Sequence, residues 1–185
     1  MIIKLNQMKA YTIILTALLV PMLSFASCGS QTSNKPLTTY KRIQPDSSVQ
    51  KILGDTITNL LFNPKKITVY SLSNREPDKS RKEIEVCPNF VRDSLLTVLQ
   101  PDLCAILQFN LLADSVNYKN DIDRVKSPYR PLLEFEFTFK KESASVLISL
   151  SDYTWAIMYK SKEICRFNYA NKQLLFRFKQ LILNE

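Results

Sequence analysis

Between residues 133 and 140 the chain alternates strictly. Leu133, Phe135, Phe137 and Phe139 share one parity; Glu134, Glu136, Thr138 and Lys140 share the other. A repeat of two belongs to a β-strand, and three phenylalanines on one side need a second layer to cover them. The chain therefore has to build an antiparallel sheet with one apolar face and one wet face. Val146, Ile148 and Leu150 predict a second strand, and Trp155, Ile157 and Tyr159 a third. A polar turn, Lys160–Glu163, leads into a short fourth strand over Ile164–Phe167. Asn171 is placed to cap a closing helix with Leu174, Leu175, Phe178, Leu181 and Ile182 on one stripe. Laid across the aromatic face, five such side chains at about 1.5–3 kcal/mol each make this helix a main source of stability.

Upstream the repeat lengthens. Asp46-Ser47-Ser48 offers caps for a helix carrying Val49, Ile52, Ile57, Leu60 and Leu61, and Asn63-Pro64 stops it. Ile67–Leu72 is rich in strand formers, and the charged stretch from Ser73 to Glu83 reads as a loop. After Cys87-Pro88, the spacing of Phe90, Leu95, Val98 and Leu99 predicts a second helix. Pro101-Asp102 opens a third with Leu103, Ile106, Leu107 and Leu111, for which a buried strand over 103–112 is the rival. Residues 114–131 read as a long polar loop. The expected architecture is α+β: N-terminal helices, an antiparallel meander of about four strands, and a C-terminal helix packed on the sheet. The run from about residue 115 to 183 also resembles uncharacterised proteins of the Bacteroidota. The resemblance is carried by Asn117-Tyr118, Phe135-Glu136-Phe137, Ile148-Ser149-Leu150, Trp155 and Leu174-Leu175. It implies a fold and a bacterial source, with no activity attached.

The chain opens with a different signal. Lys4 and Lys9 precede an uncharged run from Ala10 to Ala26 that ends in small residues. That is the pattern of a secretory leader, and the run is short for a membrane span of about 20 residues. Phe25-Ala26-Ser27-Cys28 resembles the lipobox of bacterial lipoproteins. The resemblance implies cleavage before Cys28 and a diacylglyceryl group on its sulfur. Acyl chains at about 0.8 kcal/mol per buried methylene hold a protein on a bilayer without a span. An ordinary leader cut after Ala26 and an uncleaved anchor are the alternatives. The expected organisation is a leader over 1–27, a lipid-anchored tether over 28–46, and one domain over 47–185. The tether is polar and contains two prolines, as a flexible spacer requires.

Composition narrows the chemistry. The chain has no histidine, which removes imidazole bases, imidazole metal sites and Ser-His-Asp or Cys-His nucleophiles. Its two glycines, Gly29 and Gly54, cannot form a glycine-rich phosphate loop. Lys4 and Lys9 are the leader's only charges, so a processed chain keeps a net charge of +6 from 25 basic and 17 acidic residues in all. The cations are scattered and no basic stripe interleaves with aromatics, so no nucleic-acid partner is expected. Cys87, Cys104 and Cys165 are too far apart in sequence for a CxxC or zinc motif. Cys87, at the mouth of the predicted second helix, is the one thiol with a rationale for reactivity.

Three constellations carry candidate chemistry. Glu134 and Glu136 project from one side of a strand, as paired carboxylates of a glycoside hydrolase do, although pairing with Lys140 or Lys160 is the simpler use. Asn117, Asn120, Asp121 and Asp123 supply oxygen ligands of the calcium type but lack the glycine and closing glutamate of a calcium loop; loop solvation and turn formation explain the same residues more simply, and no metal is expected. Tyr153, Trp155 and Tyr159 share one strand parity and are candidate partner contacts. The function expected is a non-enzymatic, protein-binding or structural module. It needs no cofactor and is anchored by lipid to the inner or outer membrane, facing the periplasm. A secreted periplasmic protein is the alternative location. Two other functions stay open: an immunity or inhibitor lipoprotein against an envelope-acting toxin, and a histidine-independent hydrolase using Asp121, Glu134 or Asp152.

Overall fold

The alternating segment is β4 (Leu133–Phe139), and it lies in the middle of a seven-stranded antiparallel sheet. The other strands are β1 (Lys66–Asn74), β2 (Glu85–Cys87), β3 (Phe90–Val98), β5 (Glu142–Ile148), β6 (Thr154–Tyr159) and β7 (Lys162–Asn168). They lie in the order β2-β3-β1-β4-β5-β6-β7, and the sheet curls until it is a nearly closed barrel. The structure, a computed structural model, describes residues 43–119, 129–170 and 172–183. The leader, Cys28, most of the tether, Asn120, Asp121, Asp123 and Asn171 lie outside these residues.

One face of the sheet carries Ile67, Val69, Phe135, Phe137, Val146, Ile148, Trp155 and Ile157, all buried. Three helices cover it: α1 (Ser47–Phe62), α2 (Pro101–Leu107) and α3 (Lys172–Leu183). α2 runs into a π-turn over Gln108–Leu112, so the 103–112 stretch is helical rather than a strand. Gln108 closes the layer by donating its side-chain amide to the Leu61 carbonyl at the end of α1 (2.8 Å). Phe178 of α3 stacks on Phe135 of β4 with centroids 6.1 Å apart. Leu175, Phe178 and Ile182 form the buried stripe, whereas Leu181 faces outward.

The expected meander of about four strands with helices ahead of it is corrected. Ile67–Leu72, read as a strand, lies within strand β1 and joins the meander to the segment before it: it pairs with β4 on one side and β3 on the other. Residues 90–98, expected as a helix, form β3. They pair with β1 from Phe90↔Asn74 to Val98↔Thr68. Their apolar spacing suits a helix, but β-branched Val91, Thr97 and Val98 suit a pleated strand, and a partner strand was available about 20 residues upstream. Two register shifts against β1 twist this pair.

α1 is interrupted at Gly54, whose φ of 71° and ψ of 165° lie outside helical space. Asp46 precedes α1 but makes no side-chain cap bond. With glycine absent from the hairpins, other residues adopt positive φ. Asn89 does so between β2 and β3, Lys140 between β4 and β5, and Lys160 and Ser161 between β6 and β7. Among the described residues no helix is long and apolar enough to cross a membrane.

Candidate functional site

The face expected to be wet is largely enclosed. Curling brings β2 and the start of β3 over it, so Val86, Cys87 and Phe90 bury against Leu147 and Met158. Beside this small apolar cluster lies an open cleft of about 430 Å³. Ile84–Val86 form one wall; residues 141–143 and 158–161, from two hairpins, form the far end.

Its floor is an ionic cluster. Tyr70 of β1 stands opposite Glu134 of β4, and Glu136 opposite Ser145 of β5. Arg92 reaches over from β3, its guanidinium 4.2 Å above the centre of the Tyr70 ring. Nε and Nη2 donate to the two carboxylate oxygens of Glu134 at 2.6 and 2.7 Å, and Nη2 also donates to Glu136 at 2.8 Å. The Ser145 hydroxyl donates to Glu134 at 2.6 Å. The planar fork of arginine is what permits this two-point contact; a lysine has no such geometry. The side chain of Glu134 is 1% exposed, that of Arg92 17% and that of Glu136 21%. Burial disfavours the charged form of Arg92, but hydrogen bonds and charges of Glu134 and then Glu136 outweigh it and hold its pKa above the usual arginine value. Burial, then the charge of Glu136, pushes the Tyr70 phenol up.

The two glutamates are thus counter-ions to one guanidinium. Neither Lys140 nor Lys160 takes that role; Lys140 lies over Phe139 and Lys160 over Tyr159. Arg92 was missed by the sequence reading because its segment was read as a helix, which hid its place across the sheet. The signal that could have found it is a pair of same-parity glutamates on a central strand, which demand a cation from a neighbouring strand.

The remaining candidates fall elsewhere. Trp155 is fully buried, donates its indole N–H to the Asn117 carbonyl (2.9 Å) and meets Tyr118 edge-on at 5.1 Å. It is core and offers nothing to a partner. Tyr153, 41% exposed, packs edge-on against Tyr169 with the Lys172 ammonium 3.9 Å from its ring centre. Tyr159 is partly exposed at the cleft and donates to Glu142 at 3.4 Å. The three tyrosine and tryptophan candidates therefore form no single surface. Asn117 is also structural: its amide donates to the Asn110 and Leu111 carbonyls that end the π-turn, and its oxygen accepts from the Ala170 N–H. Asp152 accepts from the Thr154 N–H and hydroxyl, which shapes a turn.

Among the described residues no group of three or more His, Cys, Asp or Glu side chains is arranged to hold a metal. Cys87, Cys104 and Cys165 are unpaired. Cys87 ends β2 rather than opening a helix, and burial pushes its thiol up to about 11, so the helix-mouth rationale for reactivity does not apply. No family model matches the chain, and no curated protein or solved structure matches it.

Proposed function

We propose that this chain is a lipid-anchored, non-catalytic binding module of the bacterial cell envelope, which engages a protein partner through the cleft inside the curled sheet. The observation that carries the reading is the inequality of the two faces. The helix side is sealed by large apolar residues, while the opposite side, partly covered by β2 and the start of β3, keeps an open cleft over a polar, hydrogen-bonded floor. Binding sites are concave, with a few fixed polar groups that set orientation. Both carboxylates of that floor are ion-paired with Arg92, Glu134 through both oxygens and Glu136 through one, which suits recognition better than acid–base work. Anchoring is supported by Lys4, Lys9, the apolar run and Cys28.

The test is made in intact cells with the full chain. A photo-crosslinking amino acid at Ser143, in the cleft, is expected to capture a discrete envelope protein that the same group at Phe176, exposed on α3, does not capture. A Cys28→Ser chain is expected to leave the membrane fraction and lose that crosslink. Equal capture at both positions, or none at Ser143, refutes the cleft as the recognition surface.

A further inference from the structure

The floor of the cleft is electrically unbalanced. Glu134 and Glu136 carry two negative charges against the single positive charge of Arg92. At the rim, Glu85 and Glu142 are matched in number by Lys141 and Lys160. One negative charge is therefore left over on the floor of the cleft. An unmatched charge in such a place is costly, and concave low-dielectric walls concentrate its field.

The surplus has an outlet. Glu134 is closed off by Arg92 and Ser145, whereas Glu136, 21% exposed, faces the cleft with one ion pair, to Arg92, and one neutral donor, the Tyr70 hydroxyl, among the described residues. The cleft is also lined by the thioether of Met158, which lies opposite Ser145 on the next strand, and by the hydroxyl of Ser143. Apolar atoms for a side-chain stem, with a carboxylate at the end, describe a receptor for a long cationic side chain.

Resting on the binding-module reading above, we infer that the cleft seats the guanidinium or ammonium of an arginine- or lysine-bearing peptide segment of the partner, with Glu136 as its contact. The volume of about 430 Å³ accommodates such a side chain with its flanking backbone. A metal is a poorer occupant, because both carboxylates already share one guanidinium and the described residues present no metal-holding group. An anion would meet the surplus charge directly. The remainder of the chain is net basic, so on balance it repels a cationic segment that the surplus charge of the cleft attracts.

The full-length chain in detergent micelles, carrying ¹³C-methyl methionine, tests this. The probe is acetyl-Gly-Arg-Gly-amide, and the control replaces arginine by citrulline, which is near-isosteric and neutral. The Met158 methyl resonance is expected to shift saturably with the arginine peptide and at least tenfold more weakly with citrulline. Glu136→Gln is expected to weaken the arginine peptide at least tenfold while leaving the citrulline response unchanged. Equal binding of the two peptides overturns the cation seat, and so does an arginine peptide that leaves Met158 unmoved. Free methylguanidinium binding as tightly as the peptide overturns the assignment to a peptide segment. The peptide contrast uses the unmodified protein, so it stands even where the Glu136 variant fails to fold. A partner captured at Ser143 together with equal peptide binding would sink the cation seat and leave the binding-module reading intact.

Discussion

Removing the Arg92 side chain should be among the most damaging single changes available outside the apolar core. In Arg92→Met, Glu134 keeps its place at 1% exposure but loses both guanidinium bonds, retaining only the Ser145 hydroxyl. Glu136 loses its bond at 2.8 Å, and Tyr70 loses the cation 4.2 Å above its ring. Charge-assisted bonds contribute about 1.5–3 kcal/mol each when counted singly, but they share one cation and do not add. Breaking a buried pair by removing one partner costs about 3–5 kcal/mol, because the surviving charge is left without compensation. The stacking on Tyr70 adds roughly 0.5–1 kcal/mol. A total of about 4 kcal/mol corresponds to a fall in Tm of roughly 10–20 °C for a domain of this size. Urea denaturation of the full chain followed by Trp155 fluorescence would measure it. The decisive comparison is Arg92→Met/Glu134→Gln. Burying an unpaired neutral amide costs less than burying an unpaired carboxylate, so the double variant should be more stable than Arg92→Met alone by about 2 kcal/mol. A loss below about 1 kcal/mol for Arg92→Met, or a double variant weaker than the single one, would refute the view that Glu134 depends on this cation.

Three further outcomes are expected. Gly54→Ala should cost about 1–3 kcal/mol in urea denaturation although nothing lies within 4 Å of the new Cβ, because φ 71° with ψ 165° is a region essentially reserved for glycine; a neutral result would show that α1 can straighten. Ser161→Gly should stabilise by about 0.5–1 kcal/mol, since Lys160 and Ser161, with φ of 50° and 60°, form a two-residue turn that favours glycine at its second position; a lowered urea midpoint would contradict this. Stability should also fall on the alkaline side. Burial raises Cys87 from 9.0 to about 11, and Cys104 and Cys165 to about 12, and raises the phenols of Tyr118, Tyr129 and Tyr169 as well. The fold favours the neutral form of each group, so their contribution is complete below about pH 9 and is lost as pH rises through 11–12. Urea midpoints should be level between pH 7 and 9 and drop above it, and native thiols should react with a disulfide reagent far more slowly than unfolded ones; rapid native labelling at pH 8 would contradict this.

Much of the apolar layer was legible. The period-two run at 133–139, the Trp155 strand and the stripe of α3 each state a local repeat, and a local repeat survives folding because it fixes which side chains share a face. The 90–98 segment was misread for the converse reason. Its spacing of Phe90, Leu95, Val98 and Leu99 fits a helix on its own, and only the ladder with β1 makes it a strand. That error concealed the site, because Arg92 meets Glu134 42 residues away in sequence. Asn117, by sequence a calcium-type oxygen ligand or a turn former, has its amide spent on the carbonyls of the π-turn, a need visible only once the turn exists.

By itself, then, the order of residues determined that a sheet must form around residues 133–167, that a helix must cover its phenylalanines, and that histidine chemistry and glycine loops are absent. These follow from side-chain type and short-range period, which are properties of the chain alone. The tertiary structure decided that the polar face is folded inward, that one guanidinium serves two glutamates, and that a cleft opens above them. Those outcomes depend on pairings between distant strands, and the environment of a charge is set by what the fold brings beside it rather than by its neighbours in sequence.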